Sequence, residues 1–347
     1  MADIKRETKT DDDVTLPDAL RQRAEAYSAM AVAHSTVTFT QRRNFDTSAV
    51  RHLNNFVKAC VLDVAARVLC AVCPSTRDDG LCVADIAAGR GQDQAKCMYA
   101  ARNAKTHVDA YYARDLSAED AVSARLMAVK YISPSARCVS IECGDMGRRW
   151  TGIPDAGVDV VSCQLALHYL FDDEAHLRTF FAEARRVLRP NGLVIVSYAD
   201  GRSIIRRGRD AYDGSAVNVQ VRARYYSFSI PASHLRRALP SPFNLAYTFT
   251  LPGSVEGIPE FLAHEGCIGR EATRVGFTNG ASMFFDEAAL CFASHPYYRD
   301  ISEKMGGNWH DDDDALDTAN MYRFSVFAKC ASTLKEWDAQ TFFRRRV

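Results

Sequence analysis

The stretch Leu81-Cys82-Val83-Ala84-Asp85-Ile86-Ala87-Ala88-Gly89-Arg90-Gly91-Gln92-Asp93 joins an apolar run of strand length to a turn carrying two glycines. A helix is expected to follow, to about Asn103. A strand that feeds a glycine turn and then a helix presents free backbone N–H groups to a ligand, and an acid about 20 residues further on serves the hydroxyls of a sugar. Asp115, 22 positions after Asp93, stands at that place. An ordinary βα turn is the plainer alternative. The dinucleotide fingerprint G-x-G-x-x-G would need glycine at position 94, where the chain has Gln94, and Asp93 would repel a pyrophosphate. A nicotinamide dinucleotide therefore loses support.

Outward from this turn, strand and helix alternate, which is the mark of a parallel sheet with helices on its faces. Residues 107–114 read as the second strand, ending at Asp115, with a helix over 117–130. The third strand is expected over 137–142, ending near Asp145, and the fourth over 158–164, followed by a helix over 172–188. The turn Arg189-Pro190-Asn191-Gly192 would then launch the fifth strand, 193–198. Upstream, Val50, Leu53, Phe56, Val57, Cys60, Val61, Val64 and Val68 recur at helical spacing, with Arg51, Asn54, Asn55 and Lys58 on the polar side. Pro17 opens another expected helix, 17–33, and residues 74–80 read as a turn. Downstream, strands are expected over 225–230, 245–251 and 321–329, and a helix over 259–275 with Pro259 near its start.

A chain of 347 residues that is 47% hydrophobic and 25% charged can build a sizeable core and is not disordered as a whole. Its 43 basic and 43 acidic residues cancel, which excludes a protein that coats nucleic acid by bulk electrostatics; any such contact should be a local patch. Eleven cysteines behind an N-terminus without an apolar leader are expected to be reduced thiols inside the cell. Cys70 and Cys73 have C-x-x-C spacing but no second pair, and read as small hydrophobes rather than metal ligands. No apolar stretch approaches the roughly 18 residues of a membrane helix. The acidic run Asp311 to Asp314 and the basic Arg344 to Arg346 read as solvated loop and tail.

A cationic ligand that carries an adenosine suits the glycine turn better than a dinucleotide does. S-adenosylmethionine has a sulfonium centre, an ammonium group, and ribose hydroxyls that want a carboxylate such as Asp115. Asp145, at the end of the third strand, is placed for the adenine amino group. Acids that end successive parallel strands face one crevice. Capping of the helices that follow is the alternative for both.

The block Ser162-Cys163-Gln164-Leu165-Ala166-Leu167-His168-Tyr169 resembles the S-C-Q-x-x-x-H-Y segment of eukaryotic mRNA cap (guanine-N7) methyltransferases. Further segments agree in order: Arg51-His52-Leu53-Asn54-Asn55-Phe56-Val57-Lys58, the loop from Asp85 to Lys96, Gly257-Ile258-Pro259-Glu260-Phe261-Leu262, and Met321-Tyr322 before a terminal strand. Together they run from about Gln41 to Lys329. The resemblance implies a Rossmann-like class I methyltransferase fold of α/β type, mostly parallel, with helices on both faces and a late antiparallel strand pair. It implies one methyltransferase domain over 17–330, with N-terminal helices to 80, a donor-binding core over 81–200 and cap-side elements over 201–330. Residues 1–16 would be a flexible acidic tail and 331–347 a C-terminal helix or basic tail.

By the same resemblance, S-adenosyl-L-methionine would be held by Lys58, the loop Ala87, Gly89 and Gly91, Asp115, Asp145, Gln164 and Tyr169. The cap would be contacted by Asn54, Asn55, Arg90, Lys96, His168, Glu260 and Tyr322. Each has a plainer reading: Asn54, Asn55 and Lys58 a solvated helix face, His168 and Tyr169 the core edge, Glu260 a helix N-terminus, Tyr322 a sheet residue. Three positions depart from the family. Ala87 stands where the loop usually begins with glycine, Leu165 where an aromatic often follows Cys-Gln, and the proline after the fifth strand is replaced near Ala199. Phe249 is the candidate for an apolar or stacking wall.

Guanine N7 carries a free lone pair, so methyl transfer to it needs no general base; positioning by His168, Glu260 and Tyr322 would supply the catalysis, and no metal is expected. The implied partners are the capped 5′ end of mRNA, with other capping enzymes or an activating subunit, in the nucleus and without a membrane. The alternatives are a small-molecule methyltransferase of the same fold and a non-catalytic cap-binding protein. Paired basic residues beside the donor loop speak against the first, and retention of Asp115 and Asp145 against the second.

Overall fold

The structure, a computed structural model, describes residues 25, 47–236 and 241–341. The acidic tail, the helix expected over 17–33 apart from Glu25, and Arg344 to Arg346 lie outside the described residues. Helix α1, Ser48–Val72, buries Val50, Leu53, Phe56, Val57, Cys60, Val61, Val64 and Val68 as their spacing predicts. It also buries Asn54 and Lys58, so these two are not a solvated face. Residues 74–79 form a short helix, α2 (Pro74–Asp79), rather than a turn: Pro74 occupies its first position and Gly80, at φ +104°, releases the chain into the next strand.

The main sheet then builds in alternation. Strand β1 is Leu81–Ile86, α3 Gln94–Asn103, β2 Val108–Asp115, α4 Ala118–Tyr131 and β3 Cys138–Cys143. Next come β4 (Val158–Cys163), a 3₁₀ turn over Leu167–Asp172, α5 (Glu174–Val187) and β5 (Leu188–Ala199). Every residue of β1 and β4 is buried, the pattern of strands covered on both faces. The expected Arg189–Gly192 turn lies inside β5: the chain passes straight from α5 into the strand, Arg189 is held by Asp159 at 3.0 Å, and the β4–β5 register slips between Val158 and Val160.

Beyond β5 follow α6 (Gly201–Ala211), β6 (Asn218–Arg222), β7 (Ser227–Pro231), β8 (Ala246–Leu251), β9 (Val255–Phe261) and α7 (Glu265–Arg274). The chain continues through β10 (Thr278–Phe284), α8 (Phe285–Ser294), α9 (Pro296–Lys304), α10 (Asp313–Ala319), β11 (Tyr322–Ala328) and α11 (Ala331–Gln340). The helix expected from Pro259 is corrected here: Pro259 and Glu260 belong to β9, and the helix begins at Glu265. Strand β9 ends the antiparallel sheet β6-β7-β8-β9, and an edge strand tolerates a proline that has no N–H to donate.

The seven-stranded sheet has the order β10-β11-β5-β4-β1-β2-β3. Strands β5, β4, β1, β2 and β3 are parallel, and β11 runs antiparallel to both β5 and β10. The order reverses between β1 and β4, so the loops after their carboxyl ends open the crevice in which such sheets bind ligands. The small sheet meets this edge where Asp200 bridges Ala263 and the Gly201 N–H donates to the Ala263 carbonyl at 2.8 Å.

Candidate functional site

The turn after β1 folds back on itself: the Ala88 N–H donates to the Arg114 carbonyl at 3.1 Å and the Gly91 N–H to the Ala88 carbonyl at 3.0 Å. Ala87, Gly89 and Gly91 all have positive φ, +59°, +51° and +78°. A Cβ on Gly91 would lie 2.4 Å from Gln94 Nε2 and 3.0 Å from Ala124 Cα, so close packing as well as φ demands glycine there. A Cβ on Gly89 would meet nothing within 4 Å, which marks the side of the turn open to a ligand. Ala87 keeps the left-handed backbone in spite of its Cβ, storing about 1–2 kcal/mol of strain.

Asp115 binds this turn directly. Its Oδ2 accepts the Gly89 N–H at 2.7 Å and its Oδ1 the Ser117 N–H at 2.9 Å. Burial pushes its pKa up even though these amides pull it down. It is not the helix cap, since Ser117 caps α4 through the Asp120 N–H. Asp145 likewise caps no helix: its Oδ1 accepts the Gly147 N–H at 2.7 Å, while the buried Oδ2 has no hydrogen bond and only Arg148 at 3.8 Å. Gln164 is oriented by two serines, accepting from Ser197 Oγ at 2.9 Å and donating to Ser162 Oγ at 3.1 Å. Leu165, where the family has an aromatic, is held at φ +56° with its N–H on Ser197 Oγ.

The basic residues beside the turn differ from one another. Lys58 Nζ lies 2.9 Å from Asp93 Oδ1, and Lys96 Nζ lies 2.7 Å from the same oxygen. Lys96 thus has an acidic partner three residues back, and burial lowers its pKa against the pull of Asp93. Burial opposes ionisation of Asp93, yet the two ammonium groups hold it well below the usual carboxylate range. Asp85 beneath them goes the other way, its pKa pushed up to about 7 by burial and by the Asp93 charge, with Tyr111 donating to it at 2.5 Å. Arg90 leaves a buried Nη1 without a hydrogen bond, as Asn54 does its Oδ1. Asn55, next to Asn54 on α1, is half-buried.

A second constellation forms where β5, β9, β11 and the 3₁₀ turn meet. Glu260 is only 4% exposed; its Oε2 accepts from Tyr247 Oη at 2.5 Å, and its Oε1 lies 3.4 Å from Tyr169 Oη and 3.5 Å from His168 Nε2. The Ala199 N–H points at His168 Nδ1 from 3.3 Å, an arrangement that leaves the proton on Nε2, which is buried without a hydrogen bond. Tyr322 pairs opposite Ala199 in the sheet. Its phenol is pushed up by burial and then by the Glu260 charge, which places the two near each other. Phe249 is buried between Tyr247 and Tyr226, with ring centroids 6.4 and 6.3 Å away.

The structure therefore gathers His168, Tyr169, Glu260 and Tyr322 in one group, and Lys58, Lys96 and the glycine turn with Asp115 in another. Tyr247, Ser197 and the bridging role of Asp93 escape a reading by motif. Tyr247 shares a strand face with Phe249 at i, i+2 spacing, a signal that points to it once that strand is placed. The i, i+3 spacing of Asp93 and Lys96 signals their pairing.

A family model for the mRNA (guanine-N(7))-methyltransferase domain matches residues 21–315. The chain is 28% identical over 253 residues to a protein of Oryza sativa subsp. japonica named mRNA cap guanine-N(7) methyltransferase 1, covering 70% of this chain and 61% of that protein. It is 26% identical over 260 residues to the Arabidopsis thaliana protein of the same name, covering 72% and 64%. It thus spans less than two thirds of the length of these curated relatives. Among solved structures, an S-adenosylmethionine-dependent methyltransferase from Clostridium acetobutylicum ATCC 824 is similar at 11% identity and a TM-score of 0.43, with 86% of this chain and 98% of that one covered. With a match over residues 21–315, the chain belongs to the mRNA (guanine-N(7))-methyltransferase domain family.

Proposed function

We propose that this chain transfers a methyl group from S-adenosyl-L-methionine to N7 of the guanosine of GpppN-capped RNA. One observation carries the reading. Among the described residues several buried polar atoms lack hydrogen bonds, and four of them, Asn54 Oδ1, Arg90 Nη1, Asp145 Oδ2 and His168 Nε2, belong to residues that the family pattern assigns to the two substrates. Orphaned buried polar atoms are rare in folded proteins and ask for a partner. Asp145 and the open side of Gly89 fit the adenosine, and Gln164 and Tyr169 are assigned to the donor by the family pattern.

S-adenosylmethionine supplies a methyl group on a positively charged sulfur that departs as a neutral thioether. The residues supply position and charge. Glu260 accepts from the guanine N1–H and exocyclic amine, and the Nε2–H of His168 donates to the base. Because N7 becomes positively charged as its bond to carbon forms, the buried Glu260 carboxylate favours the transition state over the neutral base. Tyr169 and Tyr322 border the base, and Phe249 backs Tyr247. Arg90 takes the triphosphate bridge with a charge-assisted contact. Lys58 and Lys96 share the Asp93 carboxylate and fix the end of the turn beside Arg90. The nucleus is the compartment that fits such a substrate, and other capping enzymes or an activating subunit fit as partners.

The test is transfer of labelled methyl to capped RNA with an unmethylated cap guanosine. Label on guanine N7 is the expected result. Donor binding without transfer to capped RNA would favour the small-molecule reading instead.

A further inference from the structure

A basic face lies outside the site just described. On α6, Arg202, Arg206 and Arg209 are exposed at i, i+4 and i+7, while Ile204, Ile205 and Gly208 face the interior. With Arg236 and His264 they line a cleft of about 580 Å³, in which Asp210 is the acidic member. The four arginines and one aspartate leave a surplus of positive charge in a chain whose total formal charge is zero. Most of this charge is free to face outward. Among the described residues Arg206 donates to the neutral Asn320 side chain at 3.0 Å, and Arg209 spends two donors on the Leu235 and Arg236 carbonyls at 2.8 and 3.1 Å. By contrast Arg207, on the inner face of the same helix, is ion-paired with Asp317 at 2.6 Å.

The cleft is tied to the Glu260 constellation through the chain. His264 follows Glu260 by four residues, a span of at most about 14 Å of extended chain. Gly201, the first residue of α6, is hydrogen-bonded to Ala263 in the same segment. Burial lowers the His264 pKa, Asp200 pulls it up and Arg202 and Arg270 lower it, so Arg202 on the cleft and Arg270 both lie within reach of this connection, with Asp200 beneath it.

We propose that this arginine face binds the phosphates of the RNA chain downstream of the cap. The inference rests on the cap-methyltransferase reading for the word downstream, and on the cleft alone for RNA binding. Evenly spaced arginines beside a substrate pocket suit a polyanion that leaves the pocket, and Arg contacts to phosphate need no particular base.

The test is the double variant Arg202→Ala/Arg206→Ala beside Arg202→Lys/Arg206→Lys. With capped RNA of roughly 20 nucleotides the alanine variant should raise KM about tenfold, and the slope of log affinity against log salt should fall by about 1.4 for two lost single-strand phosphate contacts. The KM for the dinucleotide GpppG should stay at the parent value, and the lysine variant should recover most of the loss. Binding of uncapped RNA of the same length, measured directly, should weaken in parallel. Unchanged RNA affinity would overturn the proposal, as would an equal loss on GpppG, which would assign the face to the cap pocket or the fold. Loss of binding to polyglutamate with RNA affinity intact would overturn it in favour of an acidic protein partner. If the parent methylates neither substrate, the cap reading falls, and the uncapped RNA measurement still decides the cleft.

Discussion

Removing the Glu260 carboxylate puts the proposed guanine recognition to a direct test. Glu260 is 4% exposed; Tyr247 donates to it at 2.5 Å and Tyr169 at 3.4 Å, and His168 Nε2 lies 3.5 Å away without a hydrogen bond. If guanine presents its N1–H and exocyclic amine to this carboxylate, two charge-assisted hydrogen bonds are at stake, each about 1.5–3 kcal/mol. Losing both costs about 3–6 kcal/mol, a fall in kcat/KM of about 10²- to 10⁴-fold. Glu260→Gln should recover little, because Tyr247 claims the amide oxygen and turns the NH₂ toward two guanine donors. It nearly conserves volume, so it separates recognition from the cavity and the unpaired Tyr247 hydroxyl that Glu260→Ala leaves, itself worth about 1–3 kcal/mol of stability. The assay is steady-state methylation of GpppN-capped RNA, with donor affinity measured in parallel by calorimetry. Donor affinity should change by less than about twofold. Parent rates in Glu260→Gln would remove this residue from guanine recognition, and an equal loss of donor binding would show that the crevice had collapsed.

Other residues of the site give further expectations. Saturating donor should raise the melting temperature, by about 2.7 kcal/mol of stability at a hundredfold excess over Kd; Asp115→Ala should abolish that shift, and a full shift in the variant would refute the ribose assignment. Arg90→Ala should weaken cap binding far more than donor binding and less so at high salt, whereas Lys96→Ala, by uncovering buried Asp93, should lower stability and affect both substrates; equal behaviour of the two variants would refute the distinction. Ala87→Gly should stabilise the protein by about 0.5–1 kcal/mol, relief of left-handed strain outweighing the entropy of glycine; a lower melting temperature would show that the Ala87 methyl group is worth more than the strain. Asp85 has a folded pKa of about 7, above its unfolded value, so the stability it contributes when protonated is full below about pH 4 and lost as pH rises through 7. In the ligand-free protein the stability gain from Asp85→Asn should therefore be larger at pH 8 than at pH 5, and a gain independent of pH would refute the shift.

The parts of the fold legible in the sequence are those whose period and punctuation agree. The apolar run 81–86, the glycines and the acids ending the next two strands state one βα unit after another, and the sheet forms as they predict. The illegible parts are those where two local rules compete. Pro259 looks like the first residue of a helix, yet it pairs with Thr248 on an edge strand, where a missing N–H costs nothing. As a result Glu260 is presented by a strand, opposite Tyr247 and hydrogen-bonded to it, and no helix dipole attends it. The run Arg189-Pro190-Asn191-Gly192 has turn composition but continues a strand, because the Arg189–Asp159 pair and the slipped register with β4 absorb the irregularity.

Helix α6 and strand β6 went unread for a different reason, and it bears on the cleft beside the site. The helix offers only Ile204 and Ile205 as large apolar residues among four arginines, and the strand only Val219 and Val221. Ile204, Ile205 and Val219 are buried and Val221 is half-buried, so tertiary packing rather than periodicity supports both elements. A helix held in place by so little apolar surface is free to devote its outer face to charge. Arg202 and Arg206 contribute little to the core, and replacing them should leave the stability within about 0.5 kcal/mol of the parent per site. A pattern too polar to announce a helix is, on this ground, the pattern expected of a surface that meets a polyanion.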